Sequence, residues 1–567
     1  MQTPPTSLRA QLLSPDIRRS LFYVLGLSLV INILLLTSPI YMLQMYDRVL
    51  TSRSEETLYG ISAIALFLLV GFGALEVMRS QALVGIGLAI DARVNEAVFT
   101  GLFRESVTRG EGLSAQPVRD LEMVRGLVSG HSLTALFDLP WAPFFIAIIF
   151  MVHPFLGSVA LAGAVVSVVL ALVSERLSRP LVGDAAKHQM AASRFVDTCL
   201  RNVDAIHANG MLRNIRGRWL ASYGKSVETG ADGADRVSAF AGSTKAFRAI
   251  MQSVMLGCGA WLVLKDASVS PGIMVACSII FGKAIAPLEQ SIAASKGFTS
   301  GLMAMKRLDA LLARHASQRT PMELPKPKGA IKVEDLALVP PGSRKPVLQG
   351  ISFALEAGEV LVVVGPSASG KSSLARALVG LWLPASGKVR IDGADIAQWE
   401  PVALGQCVGY LPQDVELLVG TVKENIGRFS DVAGAAGAEA VLKAADQAGC
   451  HALVLGLPEG YDTLIGDGGN RLSGGQSQRV ALARSYFGDP ALVVLDEPDS
   501  NLDQDGVAQL DAALARMKAR GTTAVLVTHN MRLLRHADKA LLLANGGMSY
   551  FGPPRELMEK LSKRIAA

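Results

Sequence analysis

The chain has 567 residues, of which 50% are hydrophobic and 18% are charged, with a mean hydropathy of +0.35 and a formal net charge of +6 at pH 7. This length allows several domains, and the composition is too apolar for an ordinary soluble protein, so a portion embedded in a lipid bilayer is expected. The small positive excess is typical of basic cytoplasmic loops in a membrane protein and argues against a nucleic-acid partner.

Six apolar stretches in the first half of the chain are long enough to cross a bilayer, since about 20 apolar residues at 1.5 Å per residue span the hydrocarbon core. They lie at residues 21–43, 58–78, 136–153, 155–174, 247–265 and 268–288. The first is too long for the core of a signal peptide and lacks a small-residue cleavage site. We therefore predict six membrane helices, the first of which is retained as an anchor.

The basic residues between these stretches indicate the orientation of the membrane helices. Those on one side are Arg18, Arg19, Arg79, Arg93, Arg104, Arg176 and Arg179. The segments on the other side, 44–57, 152–155 and 265–270, are short. By the positive-inside rule, both termini are cytoplasmic. The long excursions at about 79–135 and 175–246 are rich in Ala, Leu, Arg and Glu, which predicts cytoplasmic helical extensions of the membrane helices.

Lys283 and Glu289 are two charged residues at the end of the sixth apolar stretch. A charge inside a bilayer is costly, so each either lines a water-filled cavity or extends toward the membrane surface. The sequence leaves both alternatives open.

A polar segment broken by prolines, residues 319–330, follows the membrane half. Beyond it, short apolar strands alternate with helical stretches, which is typical of an α/β domain. We therefore divide the chain into a cytoplasmic segment (1–20), a transmembrane domain (21–310), a linker (311–330) and a soluble α/β domain (331–567).

Residues 365–372 match the phosphate-loop pattern G-x-x-x-x-G-K-[ST] and stand between a β-branched run and a helical stretch, as that motif requires. In such a loop, backbone N–H groups face the phosphates, Lys371 supplies a cation and Ser372 supplies a hydroxyl group for Mg²⁺. The predicted phosphate-binding residues are Gly365, Pro366, Ser367, Ala368, Ser369, Gly370, Lys371, Ser372 and Ser373.

Two further elements follow the phosphate loop in the order that an ATPase needs. The apolar strand 492–496 ends in two carboxylates, of which Asp496 can hold Mg²⁺ and Glu497 can polarise the water that attacks the γ-phosphate. The turn Leu-Ser-Gly-Gly-Gln at 472–476 precedes a helical stretch, so Ser473 and the backbone of Gly475 lie at its positive end.

Because these motifs occur in this order along the chain, its second half resembles the ATP-binding cassette (ABC) family. The resemblance implies that ATP and Mg²⁺ are bound, and that the signature turn of one subunit closes over the nucleotide held by the phosphate loop of another. The residues of that turn are Ser473, Gly474, Gly475 and Gln476. It further implies that Gln413 contacts Mg²⁺ and the coupling interface, Asp503 belongs to the inter-subunit loop and His529 contacts the γ-phosphate. The implied Mg²⁺ ligands are Ser372, Gln413 and Asp496.

One segment departs from the family pattern. The family usually places an aromatic ring under the adenine, but residues 338–342, Leu-Val-Pro-Pro-Gly, contain none. Packing of Val339 or Pro340, or of another group, must replace the ring, so we expect weaker base selectivity.

Four segments narrow the resemblance to the permease/ATPases of type I secretion: 38–50, 137–143, 457–463 and 497–503. The similarity covers about residues 20 to 560 and implies an exporter half-transporter with six transmembrane helices and one α/β P-loop NTPase domain. Only the segment 1–20 precedes the first helix, so we expect the branch that exports proteases and related proteins and has no amino-terminal peptidase-like domain.

The resemblance implies a homodimer in a bacterial inner membrane, a periplasmic membrane-fusion adaptor, an outer-membrane channel and an unfolded protein substrate with a carboxy-terminal signal. An exporter of lipid or small peptides has the same ATPase and stays an alternative. A cytosolic cassette ATPase acting on nucleic acid is excluded by the six apolar stretches. A regulator that binds ATP without transport would need degraded catalytic residues, whereas Lys371, Glu497 and His529 are all present.

Overall fold

The computed structural model describes residues 14–109, 115–265, 269–316, 324–466 and 472–566. The chain forms two compact units, a helical unit in its first half and an α/β unit in its second. The predicted fold class, a helical membrane domain followed by a P-loop NTPase domain, is confirmed.

Six helical segments of the described residues are long and apolar enough to cross a membrane, which confirms the predicted number. They are Pro15–Ser52, Glu55–Thr108, Gln116–Val152, Pro154–Leu200, Leu212–Lys265 and Pro271–Ile292. The individual helices are α1 (Pro15–Leu34), α2 (Thr37–Gln44), α3 (Glu55–Arg109), α4 (Gln116–Ser129), α5 (His131–Asp138), α6 (Ala142–Val152), α7 (Pro154–Leu200), α8 (Val203–Ala208), α9 (Leu212–Lys265), α10 (Pro271–Ala293) and α11 (Ser295–Ala316). Shorter turns are the π-helix Met45–Val49, the helical turn Leu50–Ser52 and the 3₁₀ turn Leu139–Trp141.

Three of these helices are far longer than a bilayer is thick. The helices α3, α7 and α9 contain 55, 47 and 54 residues. At 1.5 Å per residue they are about 70–80 Å long, whereas the hydrocarbon core measures about 30 Å. The predicted helical extensions are therefore present. The helix α11 runs to Ala316, so residues 311–316 of the predicted linker are helical, and residues 317–323 lie outside the described residues.

Two apolar clusters hold the helical unit together. One joins α1, α3, α4 and α11 through side chains such as Val24, Leu83 and Leu308, each at most 2% exposed. The other joins α6, α7, α9 and α10, with Phe145 and Phe281 at its centre. Many large apolar side chains outside these clusters remain exposed, as expected for a surface that faces lipid.

A polar cluster, here called the Arg79 cluster, lies inside the helical unit. The side chain of Arg79 is only 4% exposed; its guanidinium donates to Asp138 Oδ1 and to Glu76 Oε1, both at 2.7 Å. Asn32 Nδ2 also donates to Asp138 Oδ1, at 3.1 Å. Arg79 is therefore buried between helices rather than exposed beside the membrane. The uncharged stretch 80–90 follows it, so the apolar surface of α3 extends beyond the predicted boundary at residue 78.

Glu289 pairs with Arg248, Oε2 to Nη1, at 3.2 Å, and its side chain is 11% exposed. It therefore lies inside the unit and does not extend to the surface. Lys283, the other charged residue of this helix considered above, is half-buried.

Asp47 links the first and last membrane segments. Its Oδ2 accepts a hydrogen bond from Ser270 Oγ at 2.5 Å, and its Oδ1 accepts one from the backbone N–H of Gly272 at 2.8 Å. A carboxylate at the N-terminus of α10 satisfies a free donor and interacts favourably with the helix dipole. A Cβ atom at Gly272 would lie 2.5 Å from Asp47 Oδ1, so this contact requires glycine there.

The α/β unit contains three sheets. Its strands are β1 (Ile331–Leu338), β2 (Leu348–Leu355), β3 (Val360–Val364), β4 (Ser386–Ile391), β5 (Ala394–Asp395), β6 (Val408–Leu411), β7 (Gly420–Thr421), β8 (Leu464–Ile465), β9 (Leu492–Asp496), β10 (Thr523–Val527), β11 (Lys539–Ala544) and β12 (Gly547–Gly552). The central sheet has the order β12-β11-β3-β10-β9-β6 and is parallel except for β12. A second, antiparallel sheet has the order β2-β1-β4-β5, and β7 pairs with β8.

Helices cover both faces of the central sheet. They are α12 (Lys371–Leu378), α13 (Pro401–Cys407), α14 (Val422–Ile426), α15 (Ala435–Ala448), α16 (His451–Leu455), α17 (Gly474–Tyr486), α18 (Gln504–Ala519) and α19 (Pro554–Ala566), with 3₁₀ turns at Ile396–Gln398, Gly460–Asp462 and Met531–His536. Alternate residues of β3 belong to different apolar clusters: Val360 and Val362 pack on one face of the central sheet, and Leu361 packs on the other face. Burial on both faces explains why this strand is continuously apolar.

Candidate nucleotide-binding site

The carboxyl ends of three parallel strands converge at one edge of the central sheet. In the register of the sheet, Val527 of β10 lies opposite Val363 of β3 and Asp496 of β9. The segments that follow these strands carry the predicted phosphate loop, Glu497 and His529. This edge is where open α/β sheets bind ligands.

The phosphate loop connects β3 to α12. Gly370 has φ +97°, and a Cβ atom there would lie 2.5 Å from Leu348 Cδ2, so a side chain would be strained and would clash. Within the described part of the chain, no side chain caps the N-terminus of α12. Its first N–H groups can therefore bind an anion.

The side chain of Lys371 donates hydrogen bonds back to the phosphate loop. Its Nζ donates to the carbonyl oxygens of Gly365 at 3.0 Å and Pro366 at 2.9 Å. Burial lowers the pKa of Lys371, while the nearby carboxylates of Glu497 and Asp496 act in the opposite direction. The ammonium group thus stands inside the loop, next to two acidic groups.

Four of the predicted site residues form a connected row of polar side chains. Ser372 Oγ lies 3.5 Å from Gln413 Oε1, and Gln413 Nε2 donates to Glu497 Oε2 at 3.2 Å. On the other side of the same carboxylate, His529 Nε2 lies 3.4 Å from Glu497 Oε1. Residues from four separate segments therefore meet around Glu497.

Asp496 is 1% exposed, and neither of its carboxylate oxygens has a hydrogen-bond partner among the described residues. Burial raises the pKa of Asp496; the hydroxyl group of Ser372 and two nearby basic side chains oppose this shift, and the charge of Glu497 adds to it. A buried carboxylate without a partner is unfavourable unless a cation satisfies it. Mg²⁺ binds through one or two carboxylates, hydroxyl or amide oxygens and substrate phosphates, so Asp496, Ser372 and Gln413 fit this ion.

Glu497 has a left-handed backbone conformation, with φ +49°. Such a conformation costs about 1–3 kcal/mol in a non-glycine residue and needs support from its surroundings. The support comes from three hydrogen bonds: Glu497 N–H donates to Val527 O at 2.8 Å, and Glu497 O accepts from Gln478 Nε2 at 3.1 Å and from Ser500 N–H at 3.2 Å.

Gln478 was not predicted as part of the site. It lies 19 residues before Glu497, on the helix that follows the signature turn, and is 1% exposed. The available signal was a polar residue on a helix otherwise buried through small and aliphatic side chains, such as Val480 and Ala481. We infer that it positions Glu497 through the backbone.

The signature turn and Asp503 are not part of the row of polar side chains around Glu497. Ser473 caps α17: its Oγ accepts from Gln476 N–H at 3.3 Å, and Gln476 Oε1 accepts from Ser473 N–H at 2.9 Å. Asp503 caps α18 by accepting from Gly506 N–H at 2.8 Å. Among the described residues of this single chain, no hydrogen bond joins either group to the phosphate loop.

Comparisons with known proteins agree with this architecture. Residues 348–500 match the ABC transporter family, and residues 21–288 match the ABC transporter transmembrane region. The type I secretion system ATP-binding protein PrsD of Rhizobium meliloti (strain 1021) is 40% identical over 542 residues, which cover 95% of this chain and 92% of that protein. The chain belongs to the ABC transporters of type I secretion.

More distant relatives of this transporter are similar over nearly its whole length. The alpha-hemolysin translocation ATP-binding protein HlyB of Escherichia coli O157:H7 is 27% identical, covering 96% of this chain and 77% of that protein. The solved structure of a bacterial Atm1-family ABC exporter with ATP bound matches with a TM-score of 0.81 and 21% identity, covering 97% of this chain and 99% of that one. The latter shows that the two chains share the exporter fold. The transporter is thus a multi-pass membrane protein whose nucleotide-binding domain couples ATP hydrolysis to transport.

The loop after β1 is the one expected to face the base. Val347 N–H donates to Leu338 O at 2.8 Å, which closes this loop, and Val339 and Pro340 are half-buried in it. The transporter therefore presents aliphatic groups at this position.

Replacing Asp496 with Asn should raise the melting temperature of the nucleotide-free transporter at neutral pH, because a neutral amide avoids the free energy of burying a charge. The expected rise is about 2–4 °C for each kcal/mol gained in the free energy of unfolding. The raised pKa means that folding favours the protonated carboxyl group, so the wild type loses stability as pH rises through the pKa of the folded state. The advantage of the variant should therefore shrink as pH falls. Thermal unfolding of purified transporter at several pH values measures this.

Added Mg²⁺ and ATP should stabilise the wild type and a Glu439→Gln control, which removes an exposed carboxylate, far more than Asp496→Asn. A variant that melts below the wild type at neutral pH, or that gains equal stability from Mg²⁺ and ATP, would contradict the assignment of Asp496.

Proposed function

We propose that this transporter exports an unfolded protein with a carboxy-terminal signal as the inner-membrane ATPase of a type I secretion system. The observation that carries the proposal is its 40% identity, over 95% of the chain, to a protein named as the ATP-binding component of such a system. Other relatives are named as translocation proteins for alpha-hemolysin and leukotoxin. These names support a protein substrate over the lipid or small-peptide alternative.

The proposed ligand is ATP. The backbone of residues 365–370 and the N-terminus of α12 bind its phosphates, and Lys371 exchanges its loop carbonyl partners for phosphate oxygens. Asp496, Ser372 and Gln413 would hold Mg²⁺, which would supply positive charge to the phosphate oxygens.

Hydrolysis requires an attacking water that is oriented and polarised. In our proposal Glu497 accepts hydrogen bonds from this water and acts as general base, while Gln413 orients the carboxylate. His529 lies on the opposite side of Glu497, with its side chain half exposed toward the position proposed for the γ-phosphate. In this proposal the three hydrogen bonds of the Glu497 backbone hold the residue in place during the reaction.

A second copy completes the proposed site. The signature turn, Ser473 to Gln476, and Asp503 make only local bonds in one chain, so in our proposal they close over the phosphate loop of a partner. Two identical chains then form two equivalent sites with C₂ symmetry. ATP binding closes the pair, and hydrolysis reopens it.

The proposed location is a bacterial inner membrane with both termini and the nucleotide-binding domain in the cytoplasm. The basic residues outside the apolar surface, such as Arg18, Arg93 and Arg176, support this orientation. A periplasmic membrane-fusion adaptor and an outer-membrane channel would continue the export path.

The test compares proteins in the culture medium of cells that carry the wild type, Lys371→Ala, or Lys388→Ala, which truncates an exposed lysine on β4. All three must reach equal membrane levels. We expect a specific protein without an amino-terminal signal to disappear from the medium with Lys371→Ala alone. If envelope lipids or small peptides change while the medium proteins do not, protein export is wrong and the ATPase assignment survives.

A further inference from the structure

A groove of about 410 Å³ lies between the start of α1 and the middle of α3, in the helical unit. Its α3 wall is made by small residues on one helix face, including Ala82, Gly85 and Ala89. Nothing lies within 4 Å of a Cβ atom placed on Gly85, so the groove has room at this point.

The groove has an apolar part and a basic part. Ile17, Tyr23 and Ile86 contribute apolar surface, and Arg19 and Arg93 line the groove as well. Arg93 donates to Asp16 Oδ2 at 2.7 Å and to Ser14 Oγ at 2.7 Å. This pair includes the carboxylate of Asp16, which also lines the groove and partly offsets its positive charge.

Arg19 is exposed, and its side chain forms no hydrogen bond or ion pair with any described residue. With two guanidinium groups and one carboxylate, the groove has a net positive charge. An anion that enters it would gain a partner in Arg19 without breaking an existing ion pair.

The position of the groove along α3 matches a membrane interface. Val84 and Leu88, on the same stretch, are exposed apolar residues at 42% and 55%. The uncharged run ends at Ile90, and the charged residues Asp91 and Arg93 follow. The apolar part of the groove is therefore level with a lipid-facing surface, and its charged end lies where that surface stops.

The geometry points to a binding site for an anionic phospholipid of the cytoplasmic leaflet. Its phosphate group pairs with Arg19 and lies near Arg93, and the upper part of an acyl chain packs along Ile17, Ile86 and the gap over Gly85. Basic pockets between membrane helices on the cytoplasmic side are suited to such headgroups. This inference rests on the proposed orientation, with the amino terminus in the cytoplasm, and is independent of the exported substrate.

The test titrates the purified full-length transporter with phosphatidylglycerol and with phosphatidylcholine of identical acyl chains, and counts bound lipids by native mass spectrometry. We expect phosphatidylglycerol to bind more tightly, and Arg19→Gln to weaken its binding about fivefold. Arg18→Gln removes an equally exposed neighbouring charge outside the groove and should change little. Gly85→Leu, which fills the groove, should weaken binding without any change of charge.

Three results would overturn the proposal. Equal losses with Arg18→Gln and Arg19→Gln would indicate diffuse surface charge rather than a site. Equal binding of the two lipids would show that the groove does not recognise the headgroup. Unchanged binding with Gly85→Leu would show that the acyl chain does not lie in the groove. Saturation by soluble glycerol phosphate at the same concentration would show that no lipid chain is recognised.

Discussion

Replacing Glu497 with Gln should leave nucleotide binding intact and reduce ATP turnover by about 10²–10⁴-fold, the usual cost of losing a general base. The amide has the same shape and can still meet Gln413 or His529, which lie on either side of the carboxylate. The backbone bonds that hold residue 497, from Gln478 and to Val527, do not involve the side chain. Steady-state ATPase assays and nucleotide-binding titrations on purified transporter measure the two effects.

Glu439→Gln provides the matched control, because it makes the same chemical change at an exposed position of α15. It should retain full turnover. ATPase activity of Glu497→Gln within about twofold of the wild type would remove Glu497 from its proposed role, since a general base contributes far more than that.

Replacing Asp138 with Ala should destabilise the helical unit by up to about 3–5 kcal/mol, because it removes one of the two carboxylates that pair with the buried guanidinium of Arg79 and leaves only the more exposed Glu76. Asp138 is 16% exposed and accepts from both Arg79 and Asn32, so three helical segments lose a shared contact. The thermal midpoint of the transporter in detergent, with the yield of folded protein, measures the loss.

Two further variants test whether the loss of stability comes from the burial of the Arg79 charge or from the loss of an ion pair alone. The Asp16–Arg93 pair has the same 2.7 Å separation, but the side chain of Asp16 is 70% exposed, so Asp16→Ala should cost at most about 1 kcal/mol. The double replacement Arg79→Met with Asp138→Leu should recover much of the loss, since it removes both buried charges of this pair and leaves only Glu76, whose side chain is 43% exposed. Equal losses in Asp138→Ala and Asp16→Ala would show that burial is not the cause.

Local sequence patterns were sufficient to predict much of the fold and of the candidate site. A run of about 20 apolar residues must span a bilayer as a helix, because backbone groups in lipid need internal partners, so the six spans could be read directly. The phosphate loop, the carboxylates at 496–497 and His529 follow three strands, and parallel strands bring their carboxyl ends to one edge. The sequence indicates the three strands, whereas the order β3-β10-β9 that makes them neighbours comes from the structure.

Contacts between distant segments could not be predicted in this way. The sequence places Arg79 with the basic residues of the cytoplasmic side, because it does not show that Asp138, 59 residues away, faces it. Likewise, Asp47 caps a helix that begins more than 220 residues later. Gln478 acts on Glu497 through a backbone oxygen, which leaves no pattern of residue types along the chain.

The bonds between Lys371 and its own loop bear on how the catalytic cycle of the transporter ends. A nucleotide that enters must offer this ammonium group better acceptors than the carbonyl oxygens of Gly365 and Pro366, which lie 3.0 Å and 2.9 Å away. ATP supplies both β- and γ-oxygens, whereas ADP has lost the terminal group. If Lys371 binds the phosphates as proposed, the two carbonyls become competitive again after hydrolysis, and we expect these bonds to favour the release of product and to shorten the time for which spent nucleotide occupies the site.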